Sequence, residues 1–436
     1  MNLPDRREFV AASSALVAGV ATKQVASAAR RADEPIVIGL IGCGGRGTHM
    51  AERFKQQTGV ELAYVCDPQQ ARREDATKKL AAKNAVADFR RILDDKRVAA
   101  VIVATPDHWH APAAIMACDA GKHVYVEKPC SHNVREGRLL VEAARRNDRR
   151  VQHGTQCRST SMMIEGVKLL RDGIIGTVLA AKAWNIQRRG SIGRGRASDP
   201  PPGFDYDTWV GPATMIPYQE NRVNGGWHWW HHFGTGDMGN DGVHDIDYAR
   251  WGLGVDTHPS TISAAGGKFF FDDDQEFPDT QQVTFEYPGD LSVGESKDGK
   301  RMLIYEQRLW STNYPLNVDS GVEYYGTAGQ MFMSRRGKIA VWKDRNQRVD
   351  VDARPVGQDE DAHIANFLDA IRGAEKLNAE IELGHLSSSL CHLGNIATRL
   401  GRSLRFDPKA EQIVGDDEAN RLVGRNYREH WGAPKA

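Results

Sequence analysis

The sequence predicts an α/β protein of two domains. The first is a doubly wound parallel sheet, and the second is a C-terminal α/β domain with a large, mostly antiparallel sheet. Three observations carry this expectation. Strand-like apolar runs alternate with helix-like stretches up to residue 153. Beyond residue 154 the runs take on the period-two alternation of half-buried antiparallel strands. A glycine-rich turn, Gly42-Cys43-Gly44-Gly45-Arg46-Gly47, joins the first apolar run to the first helix-compatible stretch.

Taken in order, the apolar run Ile36–Ile41 is the first strand, and residues 48–57 form the helix after the turn. The glycines fall on the three positions of G-x-G-x-x-G. Gly42 permits the tight turn, Gly44 lets backbone approach a pyrophosphate, and Gly47 lets helix and strand pack closely. With Gly45 and Arg46 between them, the phosphates sit at a helix N-terminus, whose free N–H groups and dipole favour negative charge. This is the dinucleotide loop of a Rossmann fold. A second apolar run, 62–66, ends in Asp67, twenty residues after Gly47. A carboxylate there accepts hydrogen bonds from the ribose hydroxyls of NAD and repels the 2′-phosphate of NADP, so NAD is the expected cofactor.

Strands at 99–104, 123–127 and 150–153 alternate with helices at 110–118 and 134–145. The fourth strand runs into Thr105-Pro106-Asp107-His108-Trp109-His110, at the carboxyl edge where open α/β sheets bind ligands. Thr105, Pro106 and His110 are therefore candidate cofactor contacts. The next strand ends at the same edge in Glu127-Lys128-Pro129. Glu127 and Lys128 would lie beside the nicotinamide. There the Lys128 ammonium serves as proton carrier or carbonyl polariser, or else forms a structural salt bridge with Glu127.

In the second domain, strands are expected at 178–186, 261–271, 281–287, 302–308 and 321–326, with closing helices at 362–372 and 387–400. The Arg-, Gly- and Pro-rich stretch 188–203 is a substrate lid, an oligomer arm or a solvated loop. A glycine-rich turn, Gly234-Thr235-Gly236-Asp237-Met238-Gly239-Asn240-Asp241-Gly242, leads into a helix through Trp251, with His244 in its first turn facing the cleft. Trp227-His228-Trp229-Trp230-His231-His232 admits substrate contact, packing or metal binding. Substrate contact through Trp227 and His228 is favoured, and no metal is expected. Arg158 points at substrate or makes interdomain hydrogen bonds. Asp272-Asp273-Asp274 reads as a solvated hairpin loop.

Together the glycine loop, the Thr-Pro-Asp-x-x-His turn, the Glu-Lys-Pro strand end and the glycine-rich turn ending in His resemble the glucose–fructose oxidoreductase / inositol dehydrogenase / MocA family. The similarity runs from about residue 36 to 408 and includes Gly326-Thr327-Ala328-Gly329 and Asn366-Phe367-Leu368-Asp369-Ala370-Ile371. It implies a Rossmann domain, an α/β domain whose open sheet builds homo-dimers or homo-tetramers, and hydride transfer from a sugar or polyol carbon to the nicotinamide. By the same resemblance Lys128 is the Glu-Lys-Pro lysine and His244 the catalytic histidine. The family's usual Asp four residues before that His is here Asn240, with Asp241 next. The proton relay is then expected to run through Asp241, Asp245 or His244 alone. Two chemistries fit: net oxidation with a tightly held cofactor, or a redox-neutral cycle as in NAD-dependent α-N-acetylgalactosaminidases, where transient oxidation permits elimination of an aglycone. A non-catalytic sugar-binding protein is a third reading.

The 436 residues contain equal numbers of basic and acidic side chains, 57 each, so no net field draws nucleic acid or an anionic membrane. The expected partner is a small carbohydrate. Arg6-Arg7, a short apolar stretch and Ala26-Ser27-Ala28 read as a twin-arginine-type export signal cleaved near Ala28, which implies a periplasmic protein. No segment is long enough to insert in a membrane. Six scattered cysteines are expected to be free thiols. The expected layout is signal and linker at 1–33, Rossmann domain at 34–153, substrate and oligomerisation domain at 154–408, and a tail at 409–436.

Overall fold

The computed structural model describes residues 34–289 and 299–428. The export signal read from residues 1–33 lies outside them, as does the end of the expected tail, residues 429–436.

The N-terminal sheet is built from β1 (Ile36–Ile41), β2 (Val60–Cys66), β3 (Asn84–Val86), β4 (Ala100–Val103), β5 (His123–Val126) and β6 (Val151–His153). All pair in parallel, in the order β3-β2-β1-β4-β5-β6. The connecting helices are α1 (Gly45–Lys55), α2 (Gln70–Leu80), α3 (Arg90–Asp94), α4 (Asp107–Asp119) and α5 (Val134–Arg146). β1, β4 and β5 are buried almost throughout, which is why they read as unbroken apolar runs. The chain order reverses between β1 and β4, and the ligand crevice of such sheets lies there.

The second domain contributes α6 (Ser161–Arg171), β7 (Val178–Asn185), α7 (Tyr206–Val210), α8 (Val243–Leu253), β8 (Thr261–Gly267), β9 (Thr280–Tyr287) and β10 (Arg301–Arg308). It continues with β11 (Ser320–Gly326), β12 (Gly329–Ser334), β13 (Lys338–Lys343), β14 (Gln347–Val349), α9 (Glu360–Arg372), α10 (Ile381–Leu400), β15 (Leu404–Asp407), β16 (Gln412–Ile413) and α11 (Asp417–Val423). Ten strands form one sheet, ordered β14-β13-β12-β11-β7-β10-β9-β8-β15-β16. Only the β7–β10 pair is parallel. Alternate residues of β9 (Gln281, Val283, Phe285, Tyr287) are buried, and the last three join the core shared with α8 and α10.

Two features depart from the sequence expectation. The first closing helix, α9, belongs to the Rossmann core: Ile364, Phe367 and Leu368 pack with Ile36, Ile38, Phe54 and Tyr125. The Phe367 ring meets Tyr125 and Phe54 edge-on at 6.0 and 6.1 Å. The stretch after residue 408, expected as a tail, instead carries β16 and α11. It buries Ile413, Ala419 and Val423 in the second core, because β16 pairs back onto β15. All six cysteines are buried free thiols.

Buried histidines stitch these layers together. His363 on α9 is 2.9 Å from the His153 carbonyl and accepts from the Ser159 hydroxyl at 2.7 Å, which fixes the tautomer with the proton on Nε2. Burial depresses His108, His153 and His392 to about 3 and His363 to about 4. In the unfolded chain each titrates near 6.5, so between these values the unfolded state binds more protons. The stabilisation is present above about pH 6.5 and is lost as pH falls toward the depressed values. The urea midpoint is expected to drop steeply between pH 7.5 and 5, each such histidine removing about 2 kcal/mol by pH 5. The drop should be measurably smaller in His363→Gln; equal pH dependence in both proteins contradicts this account.

Candidate functional site

Gly42 takes φ +97°, and an added Cβ would lie 2.5 Å from the Ala104 carbonyl oxygen. At Gly47 the same atom would lie 1.9 Å from the Gly42 oxygen. These two glycines let β1, β4 and α1 converge at the loop. Gly42, Gly44 and Gly45 line a cavity of about 410 Å³, and a Cβ on Gly45 would meet nothing within 4 Å. The first helical bond of α1 runs from Thr48 N to Gly44 O at 2.9 Å, so the N–H groups before Thr48 remain for an anion.

Asp67 lies on the same cavity at the end of β2, and its carboxylate accepts from Cys43 N at 2.8 Å and Gln69 N at 2.9 Å. Burial raises its carboxyl above the ordinary value, with those two N–H groups acting against the rise. Further donors from a ribose would favour the ionised form. The residues present therefore fit NAD: an open glycine cradle for the pyrophosphate and a carboxylate at the ribose end.

Thr105, Pro106, His110, Glu127 and Lys128 line the same cavity, as the strand-end positions suggested. Both His110 ring nitrogens face carbonyls, Pro129 at 2.6 Å and Thr105 at 2.8 Å, so this side chain braces one strand end against the next. Burial lowers it to about 4, with the two carbonyls and Glu127 acting against the fall. Arg46 reaches from the glycine loop to Glu127 at 2.8 Å and to Glu360 on α9 at 2.5 Å. Burial pushes the Glu127 carboxyl up, yet Arg46 and Lys128 hold it below its ordinary value.

The Lys128 ammonium makes its hydrogen bonds in the second domain. Its Nζ donates to the Asn240 carbonyl at 2.6 Å and to Asn240 Oδ1 at 3.1 Å. The ammonium thus spans from the end of β5 to the glycine-rich turn, with one N–H left over. The cis Lys128–Pro129 peptide marks the strand's end. Met238–Gly242 form a π-helical turn running straight into α8, an irregularity common at functional sites.

Around that turn the structure corrects several expectations. Asp241 does not line the cavity and is committed elsewhere: its two oxygens accept from Arg189 at 2.9 Å and Arg335 at 2.6 Å. Burial works against its charge, but Arg335 and Arg189 hold the carboxyl far below the ordinary carboxylate value. Asp245 is fully buried and accepts from Tyr248 Oη at 2.8 Å; it does not line the cavity. Burial pushes it up to about 7. Arg158 also lies away from the cavity, in a buried pair with Asp247 (2.8 and 3.0 Å) and over the Trp251 ring, so it packs within the second domain and neither faces substrate nor bridges the domains through these contacts. His244 is set back from the lining, 5% exposed, with Nδ1 unpartnered. Burial first, then Arg335 and Lys128, hold it well below 6.5, leaving a neutral imidazole.

Trp227 and His228 do line the cavity, their rings stacked 3.5 Å apart. His228 and His232 do not share a helical face, because only Gly226–Trp229 form a short 3₁₀ turn, and His232 borders a different cavity. The acidic run is not simply solvated: Asp273 accepts from Ile192 N at 2.9 Å, Asp274 from Gly195 N at 2.7 Å, and Asp272 pairs with Arg194. These bonds pin the Arg-rich loop. Among the described residues one group has metal-ligand geometry, His258, His385 and Glu411. Both rings and Arg138 converge on the same Glu411 oxygen at 2.9, 2.9 and 2.7 Å, so a guanidinium already balances that carboxylate.

Sequence reasoning missed Arg335, Arg189, Arg72 and Asn224. The last two line the cavity and hydrogen-bond each other across it at 2.7 Å, joining α2 to the second domain. Nothing local marks Arg335 or Asn224; Arg189 lay within the Arg-rich stretch.

The chain is similar to a glycosyl hydrolase family 109 protein of Shewanella sp. strain ANA-3, 29% identical over 42% of this chain and 46% of that protein. It is also 29% identical to an α-N-acetylgalactosaminidase of Shewanella oneidensis, over 78% of this chain and 75% of that protein. It thus spans about half the length of the first and three quarters of the second. Levoglucosan dehydrogenase solved with NADH and levoglucosan shares the fold, with TM-score 0.64 and 18% identity over 85% of this chain and 99% of that one. The NAD-binding Rossmann model of the Gfo/Idh/MocA oxidoreductases matches residues 36–155 and their C-terminal α/β model matches 174–304 and 315–433, and the chain belongs to that oxidoreductase family.

Proposed function

We propose that the protein oxidises a hydroxyl-bearing carbon of a sugar, polyol or glycoside, using an NAD held in the glycine-lined cavity. The observation that carries this reading is the cross-domain pairing of Lys128 with Asn240 on the glycine-lined cavity, at the carboxyl edge of the sheet. NAD, when bound, supplies the hydride acceptor. The rest falls to the chain. Lys128, with two N–H groups already committed to Asn240, offers its third to the substrate oxygen and stabilises charge developing there. Neutral His244 takes the hydroxyl proton, since Asp241 is committed to two guanidiniums and Asp245 is walled off. Trp227 and His228 offer a flat face to the apolar side of a sugar ring.

A second reading is a redox-neutral glycosidase or lyase acting through a transient keto-sugar. The resemblance to a Shewanella oneidensis α-N-acetylgalactosaminidase favours it. So does the twin-arginine-like segment, if it directs export, because a protein outside the cytoplasm cannot draw on a free NAD pool. In both readings the cofactor stays bound. Denaturing the purified protein with no NAD added and identifying the released dinucleotide by mass spectrometry tests this. Near-stoichiometric NAD or NADH supports a retained cofactor, and an empty protein that takes up no added NAD overturns both readings.

Three results are expected. Lys128→Met should lower turnover by about 10²–10⁴-fold, the range for a lost acid–base or charge-stabilising group, with NAD content retained. Rates should stay flat down to about pH 6.5 and fall only as His244 protonates at its depressed value; a sharp fall above pH 6.5 removes His244 as the base. Turnover of nitrophenyl glycosides in D₂O should distinguish the two chemistries. Deuterium at the carbon next to the oxidised one, with no net NADH, identifies the redox-neutral cycle, whereas NADH formation without exchange identifies the dehydrogenase.

A further inference from the structure

A second cavity, of about 280 Å³, lies on the far side of residues 231–235 and shares no lining residue with the nucleotide cavity. Its walls come from five parts of the chain: the segment just beyond Pro129, the end of the Trp/His run with Gly234 and Thr235, Phe277 before β9, α10, and α11 with the residues after it. Three arginines border it, and no carboxylate does.

The arginines are poorly neutralised. Arg399 and Arg421 form no ion pair among the described residues and are exposed. Arg425 gives Nε to the buried Glu136 at 2.7 Å and Nη2 to the His108 carbonyl at 2.7 Å, while Nη1 has no partner. Glu136 also accepts from Tyr427 Oη at 2.8 Å, so the carboxylate nearest Arg425 is already shared. Two further polar atoms on lining residues lack partners. Asn133, 4% exposed, uses Oδ1 to cap α5 at Glu136 N (3.0 Å) and leaves Nδ2 unpaired. His232 leaves Nδ1 unpaired. Burial lowers the His232 imidazole below its ordinary value, so the ring adds no charge to the site.

Buried donors without acceptors are uncommon, and Asn133 Nδ2 and Arg425 Nη1, on the lining of one cavity with the unpaired Arg399 and Arg421, call for an acceptor-only ligand. A monovalent anion would leave part of this set unmatched. Planar guanidiniums and single N–H donors suit the tetrahedral oxygens of a phosphate group. We propose that this cavity is a second ligand site, one that binds a phosphate group between Arg399, Arg421 and Arg425. Free phosphate and the phosphate ester of a small metabolite offer the same chemistry to it.

The test uses the full protein saturated with NAD, so that the glycine loop cannot supply the signal. Inorganic phosphate and, separately, glucose 6-phosphate are titrated calorimetrically at constant ionic strength, against the double variant Arg399→Ala/Arg421→Ala. Both side chains are exposed, so the melting temperature of the variant without ligand checks that it folds as the parent does. Saturable binding is expected, weakened at least about tenfold in the variant, the loss that follows from removing charge-assisted hydrogen bonds. Tighter binding of the ester identifies a phosphorylated metabolite as the occupant, and equal binding identifies phosphate itself. No saturable binding of either by the NAD-saturated protein, or equal affinity in parent and variant, overturns the proposal.

Discussion

One ammonium holds the two halves of the site in register. Lys128 ends a buried strand of the first domain, and its donors run to the backbone and side chain of Asn240 in the second. A cation at that depth needs oxygen acceptors in fixed places. The acceptor lies on a π-helical turn, so the turn itself must be held. Asp237, fully buried, does this: it accepts from Asn185 at 2.8 Å, Arg189 at 2.8 Å and Asn240 Nδ2 at 3.0 Å. Arg189 then reaches Asp241, and Asp241 reaches Arg335. Each charge in this chain is balanced by the next. Removing one member leaves a charge with little water, which in buried pairs costs about 3–5 kcal/mol.

That network gives a physical reading of Asn240, where the family pattern has an aspartate. Two carboxylates, Asp237 and Asp241, already flank the position. Asparagine keeps an acceptor for Lys128 and adds a donor for Asp237 without bringing in a third negative charge. The consequence is a division of labour: Asn240 orients the lysine and Asp241 anchors the turn, and in the reaction we propose the proton-accepting role falls to the neutral imidazole of His244.

The division into two domains is also less sharp in space than along the chain. α9 supplies Phe367 to the Rossmann core, and its Glu360 grips Arg46 in the glycine loop. The loop that cradles the nucleotide is thereby fixed from both sides, by Glu127 beneath and by a helix more than 300 residues away in sequence. Arg72 and Asn224 close a further link over the cavity. A cofactor bound there would touch residues of both domains.

The sequence by itself determined the parallel sheet, the glycine loop, Asp67 as the ribose-side carboxylate, and the strand ends at Thr105 and Lys128. Each of these is a local signal: an unbroken apolar run, a glycine where a Cβ has no room, a polar residue at the edge where strands terminate. Only the tertiary structure decided which charged groups are free to act. Asp241 and Asp245 are alike as residues in a sequence, yet one is clamped by guanidiniums from loops at 189 and 335 and the other is sealed beside Tyr248. Arg158 looked as available as any arginine until Asp247 and Trp251 enclosed it. Protonation and access depend on burial and on partners distant in sequence, and no local pattern records those distances.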